Sequence, residues 1–482
     1  MKDSKLFSAL TTLSVREFNR FVKFLQSPYI NENKALITFG DYLVELYADF
    51  ENQDISKEEI HKRVFGGRYN DLKVRHLLSD MLKLLEKFFA MENYFSDSDD
   101  LELDKLAQFR KRYMEKHFSS VIRRLRGRFE NDNFEESQEG YYKKFLLEKE
   151  VNLYTYFGDK KLRRGENNIV ATSEALDNYF ILQKLRYGCI QANYGSMYNK
   201  TLELFLLEEI IGHVAKRDTA EHALISAYYL AFLMLSNKDV EDHFINFKNG
   251  LKEHNKNFEL SANRELYNFA QNYCIGRINR GEKRFFEELF ELYKQTLSNG
   301  VAFAKGELSA PGFKNMVTVG CNLKQYDWVK SFIADYLQYL PAEHQENSRI
   351  LMTALLYWYL DKYSETIKLL SRVEYDDPFY ALDSRSLLMK IYFELGEFEV
   401  LRSLCDSFKI YLRRNKMISA THIGNYTNLI NYTLKLIKVK PDQHERLAKV
   451  KNEISTAKGV YNRAWLLEQI SRMETSFMEP ED

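Results

Sequence analysis

YLDKYSETIKLLSRVEYDDPFYALDSRSLLMKIYFELGEFEV, residues 359–400, decides the fold, because it holds two turns of one design with two amphipathic helical stretches between them. The turns are DKYSET (361–366) and GEFEVL (396–401), and a third of the same kind, KQYDWV (324–329), lies upstream. Their aromatic anchors Tyr326, Tyr363 and Phe398 stand 37 and 35 residues apart, a period that marks stacked supersecondary units. Pro341 and Pro378 keep phase, each 15 residues past its anchor, and predict the end of the second helix of their units. The pattern extends from Phe313 to Arg413.

Turn, aromatic anchor and terminal proline together resemble the tetratricopeptide repeat, whose period is about 34 residues. The middle unit matches best. Ala354 falls on that repeat's small packing residue, Tyr357 on its first-helix aromatic and Pro378 on its closing proline. The flanking units depart: Val317 and Met389 replace the small residue, Arg413 stands where a proline is expected, and no Trp opens a unit. The resemblance implies an all-α, right-handed α-solenoid of antiparallel helix pairs. The chain also resembles, almost end to end, a group of uncharacterised helical-repeat proteins of the Bacteroidota. The passages LSVREFNRFVKFLQSPYIN (13–31), LDNYFILQKLRYGCIQANY (176–194), QYDWVKSFIADYLQYLP (325–341) and DPFYALDSRSLLMKIYFELGEFE (377–399) carry that likeness. It implies a fold and no activity.

At 482 residues the chain is too long for one ordinary core, which leaves several domains or an elongated stack. Six prolines and 20 glycines are few for that length and favour long helices with short connections. Formal net charge is zero, so the overall electrostatic footprint of a dedicated nucleic-acid binder is missing. MKDSKLFSAL has no apolar run after its lysines, so the expected location is the cytoplasm. The most apolar stretch, ALISAYYLAFLML (223–235), is 13 residues long and too short to span a bilayer. Cys189, Cys274, Cys321 and Cys405 are isolated in sequence and read as free buried thiols.

The N-terminal residues 1–95 read as a helical cap, with capping boxes at Ser14/Glu17 and Ser56/Glu59, a stop at Pro28 and a turn at Gly66–Gly67. Leu78, Leu82, Leu85 and Phe89 predict the apolar stripe of its last helix. A helix-turn-helix reader within 55–89 is the functional alternative, but it lacks a basic face of its own. FSDSDDLELD (95–104) carries five acids and no base and predicts a linker.

Beyond it, Lys105, Arg110, Lys111, Arg112, Lys116, Arg123, Arg124, Arg126 and Arg128 face a single acid, Glu115, along what reads as one basic helix, 105–128. Interleaved Phe109, Tyr113 and Phe118 give this segment a nucleic-acid reading, with cations on phosphates and rings on bases. A solvated basic face, neutralised by flanking acids, is the plainer one. Residues 101–260 form a divergent helical region, 261–424 the regular helix pairs and 425–482 capping helices around Pro441. The loop GDKKLRRG (158–165) lacks the ending of a P-loop and reads as surface.

No metal, cofactor or catalytic signature is present: the ten histidines are scattered, and there is no nucleophile elbow or dinucleotide fingerprint. Acid pairs such as Glu208/Glu209 and Asp376/Asp377 are adjacent in sequence and do not share a helix face. The expectation is a non-enzymatic scaffold that binds a protein or peptide. On the tetratricopeptide resemblance its groove positions are Lys314, Thr318 and Asn322, then Leu351, Leu355 and Trp358, then Ser386, Lys390 and Glu394. Trp358 is either a groove anchor or ordinary core. A nucleic-acid-associated regulator using the cap and Arg110, Lys111, Arg112, Arg123, Arg124, Arg126 and Arg128 is the alternative.

Overall fold

The computed structural model describes residues 4–47, 55–96, 98–129, 136–157, 168–198, 203–217, 222–371 and 377–478. The loop 158–165 and Asp376 lie outside them. The protein is all-α: the described residues form 23 α-helices and no strand, with isolated bridges at Glu136–Phe258 and Ala304–Glu307. Among them no helix is long and apolar enough to cross a membrane. The chain divides into two compact units, residues 1–134 with 139–179, and residues 135–138 with 180–482.

In the first unit the N-terminal helices are Lys5–Leu10, Val15–Leu25, Lys34–Tyr47, Lys57–Val64 and Asp71–Ser96. Ser14 and Glu17 close the expected capping box, and Ser56 caps its helix by accepting from the Glu59 amide at 3.2 Å. Phe18, Phe21, Phe39, Leu43 and Met81 meet in a fully buried core. The stripe of the fifth helix is Val74, Leu77, Met81, Leu85 and Phe88, not Leu78, Leu82 and Phe89. Both sets have helical spacing. The helix rotates to bury Val74 and Met81, leaving Leu78 and Leu82 half-buried and Phe89 exposed.

The acidic segment is not a linker. Ser98–Lys111 is a helix whose first turn carries Asp99 and Asp100, where acids favour the N-terminal dipole. The basic stretch is not one helix either. It breaks at Tyr113, which takes a left-handed φ of 58°, and resumes as Glu115–Phe129. The Met114 amide donates to Phe109 O at 2.9 Å and so closes the first helix. The two helices pack on each other around Leu106, Phe118 and Leu125.

The second unit contains the segment with the repeated turns. Its helices there are Ala310–Asn322, Tyr326–Tyr336, Ala342–Tyr359, Tyr363–Leu370, Pro378–Glu394 and Phe398–Arg414, so the chain reverses at each expected turn. All three turns share one hydrogen-bond scheme. The amides of Gln325, Lys362 and Glu397 donate to the carbonyls of Gly320, Tyr357 and Tyr392, each at 2.9 Å. The residue before each donor is left-handed, with φ of 56° at Lys324, 57° at Asp361 and 71° at Gly396. This is the Schellman cap, which satisfies two carbonyls that the helix end leaves open. The anchors Tyr326, Tyr363 and Phe398 each sit two residues past the left-handed position and open the second helix.

The prolines act one step later than expected. Pro378 is the first residue of its helix, capped by Asp377, whose carboxylate accepts from the Phe379 amide at 2.8 Å, and Pro341 is an N-cap. A missing N–H costs nothing at that point.

First helices touch first helices: Ala310–Asn322 packs on Ala342–Tyr359, which packs on Pro378–Glu394. Ala354 is fully buried, as expected of a small packing residue, and its carbonyl accepts from buried Thr366 at 3.4 Å. In the preceding unit, where Val317 replaces the small residue, Gly320 supplies the close approach. A Cβ there would lie 2.6 Å from Val329 Cγ2. ALISAYYLAFLML lies in the helix Ala223–Ser236 and is mostly buried, and all four cysteines are free and buried.

Candidate functional site

Three helices of the second unit, Ala310–Asn322, Ala342–Tyr359 and Pro378–Glu394, carry the expected groove residues, and five of these lie among polar contacts with the end of the chain. Lys314 pairs with Asp383, and both bond to Tyr461, which donates to Asp383 Oδ1 at 2.8 Å and accepts from Lys314 Nζ at 3.3 Å. Asn462 Nδ2 donates to Ser386 Oγ at 2.9 Å. Glu394 accepts two indole N–H groups, from Trp358 at 2.9 Å and from Trp465 at 3.0 Å. Lys390 Nζ lies 4.7 Å from the centre of the Trp358 ring and 6.0 Å from that of Trp465. Asn322 donates to Tyr359 OH at 2.8 Å.

Burial and the Asp383 carboxylate raise the Tyr461 phenol well above its ordinary range. Burial also raises that of Tyr426, whose ring lies tilted against it with centroids 4.1 Å apart, so both stay neutral donors. Burial brings Lys390 down to about 8; the Lys314 ammonium adds to that, while Glu394 opposes it.

Lys314, Ser386, Lys390, Glu394 and Trp358 therefore come together, and Asn322 lies beside them. Thr318 turns its hydroxyl to the carbonyl of Lys314, at 2.8 Å, rather than outward. Leu351 is buried and Leu355 half-buried. Trp358 is half-buried against the core that contains Trp465, Leu466 and Ile470. Glu394 ties it to Trp465 of the chain's own C-terminal helix, Arg463–Met478, and the two residues before that helix, Tyr461 and Asn462, bond to Lys314, Asp383 and Ser386 of the same face. Gly459 and Asn462, left-handed at 69° and 52°, steer that segment into place.

Sequence reasoning misses Asp383, Tyr426, Tyr461, Asn462 and Trp465. One signal was available: Asp383, Ser386, Lys390 and Glu394 recur at three- and four-residue spacing and make a polar stripe on an otherwise apolar helix. Nothing in local spacing links that stripe to residues some 70 positions away.

In the first unit the basic residues are largely spoken for. Arg110 pairs with Glu150 at 2.8 Å and Arg126 with Glu148 at 3.0 Å. Arg124 pairs with Glu102, and Arg128 with Asp99. Arg112 bonds Gln108. Lys111 and Arg123 are exposed. Of the interleaved rings, Phe118 is buried and stacked on Tyr154 at 4.0 Å, and Tyr113 is exposed. Two acids of 95–104, Glu102 and Asp99, thus hold Arg124 and Arg128, and Glu150 and Glu148 from further along the chain hold Arg110 and Arg126. No protein-family model, curated protein or solved structure matches this chain.

Proposed function

We propose that the second unit is a right-handed, tetratricopeptide-like α-solenoid, and that the protein is a non-enzymatic cytoplasmic adaptor binding a protein or peptide on the face formed by its first helices. The observation that carries this reading is what already sits on that face. Tyr461, Asn462 and Trp465, side chains typical of a recognised peptide, are held by Lys314, Asp383, Ser386 and Glu394 through directed hydrogen bonds. A surface that satisfies amide, phenol and indole groups from one segment has the chemistry to take another. Asn322, exposed at the end of the first helix, extends the face.

The test is affinity capture from native cytosol with the full chain and with Asn322→Ala and Trp358→Ala, each checked by melting. A stoichiometric protein lost with either variant at unchanged melting temperature supports the reading, whereas a Trp358→Ala chain that unfolds with no binding-specific defect returns the tryptophan to the core. Capture that ignores both variants removes it. The nucleic-acid alternative has less support, because Arg110, Arg124, Arg126 and Arg128 already hold carboxylates, and a phosphate must compete with each. Weak, steeply salt-dependent binding is the expected outcome. Sub-micromolar binding at physiological salt, abolished by reversing Arg123, Arg124 and Arg126, would replace the adaptor reading with that one.

A further inference from the structure

Lys390 is the amine of the groove cluster that no oxygen holds. Lys314 has Asp383 and Tyr461. Lys390, half-buried, makes neither ion pair nor hydrogen bond among the described residues and rests against the faces of Trp358 and Trp465. The acid one turn along its own helix, Glu394, has both oxygens committed to indole N–H groups. The charged groups facing Lys390 are Asp383 and Glu394 from its own helix, Lys314 from Ala310–Asn322 and Glu468 from Arg463–Met478. Ala342–Tyr359 contributes the uncharged Trp358. An ammonium placed there gives up water without gaining a hydrogen-bonded counter-ion, and the attraction of the ring faces returns only part of that loss.

We propose that Lys390 is a site of selective acylation by small activated acyl donors, the class of acyl phosphates. The neutral amine attacks the carbonyl carbon, the N–C bond forms and the C–O bond to phosphate breaks. The amine proton leaves with the phosphate as hydrogen phosphate, so the products are an amide and inorganic phosphate. No oxidant, metal or second substrate is required. The acylated side chain is neutral and suits the indole-lined position better than the ammonium does. This inference goes beyond the adaptor reading and does not depend on it.

The size of the preference follows from the neutral fraction. At pH 7.5 an amine whose pKa is about 8 is roughly one-quarter neutral, against about one part in a thousand for an ordinary lysine. A weaker base is a weaker nucleophile, which takes back about tenfold, and half-burial takes a little more, leaving about tenfold overall.

The test treats the full chain with limiting acetyl phosphate at pH 7.5 and follows acetylation of each lysine by peptide mass spectrometry. Lys324, exposed on a turn, serves as the internal reference, and a parallel sample is unfolded in guanidinium. Expected is Lys390 acetylated about tenfold faster than Lys324 in the folded chain, with the preference gone in the unfolded one. The Lys390 rate should level off above about pH 8. A folded-state ratio below about threefold, or a preference that survives unfolding, overturns the proposal. Both arms use the unmodified sequence, so no variant has to fold for the result to count.

Discussion

Trp358 and Trp465 share one carboxylate: their indole N–H groups, from helices far apart in sequence, donate to the two separate oxygens of Glu394. Two donors need two acceptors. Glu394→Gln keeps size and shape but replaces one acceptor by an NH2 that faces an N–H donor. The variant should lose about 1–3 kcal/mol, the cost of leaving a half-buried donor unmet. Chemical denaturation measures it, and Trp fluorescence should shift to the red as one indole gains water. A variant as stable as the parent would mean that the shared carboxylate does not hold the C-terminal helix.

Paired helices pack closely at Ala354 and Gly320. Ala354→Arg forces a charge into a fully buried contact with the helix of Thr366 and should cost on the order of 3 kcal/mol or more. Gly320→Ala should also destabilise, by about 1–3 kcal/mol, because its Cβ would meet Val329 at 2.6 Å. Gly276→Ala is the control. It sits in the helix Leu260–Asn279 with nothing within 4 Å of its Cβ position, and should stabilise by about 0.5–1 kcal/mol. Thermal melting of the three variants reads the difference in sign.

The repeated turn makes opposite predictions at equivalent positions. Lys324 and Gly396 hold the same left-handed place in their caps. Lys324→Gly should raise stability by about 0.5–1 kcal/mol, and Gly396→Ala should lower it by about 1 kcal/mol. Opposite shifts in melting temperature are expected. Equal shifts would show that the caps are not equivalent.

Burial raises all four thiols: Cys321 and Cys405 to about 12, Cys189 and Cys274 also upward. At pH 8 the folded chain should therefore give almost no fast reaction with an aromatic disulfide reagent, and the unfolded chain four equivalents. The sign for stability follows. The folded state holds these protons while the unfolded state, with thiols near 8.5, releases them. Stability is complete below that pH and falls as pH rises above it, by up to about 1.4 kcal/mol per thiol per pH unit. Urea denaturation between pH 8 and 10 checks the slope.

The helices and turns of residues 310–414 were legible because one period, one anchor and one cap repeat three times, and each is a local property. The small residue at Ala354 was legible for the same reason. The stripe of Asp71–Ser96 was misplaced because Leu, Met and Phe occupy most positions of that helix, and only its neighbours decide which side is inward. The break at Tyr113 escaped notice because neither glycine nor proline marks it. Charge proximity suggested a phosphate site at 105–128. The acids that would neutralise it lie partly at Glu148 and Glu150, beyond the reach of local reading. The groove residues were named by analogy with a repeat, and five of them do meet. What they meet comes from the last helix and the two residues before it, which no repeat period announces.

Tyr461 reaches Lys314 across 147 residues of chain, whereas each helix pair between Ala310 and Arg414 closes over a short turn. Closing so long a loop is entropically slow compared with folding neighbouring helices. During synthesis at about 5–20 residues per second, that span takes on the order of 10 s to make. In the later part of that interval, after Glu394 has been made and before Tyr461, the residues Lys314, Asp383 and Glu394 stand in helices already able to form, while their phenol, amide and indole partners have not yet been translated. A factor that attends the nascent chain meets this face without Tyr461, Asn462 and Trp465, and one that arrives after release meets it with them in place.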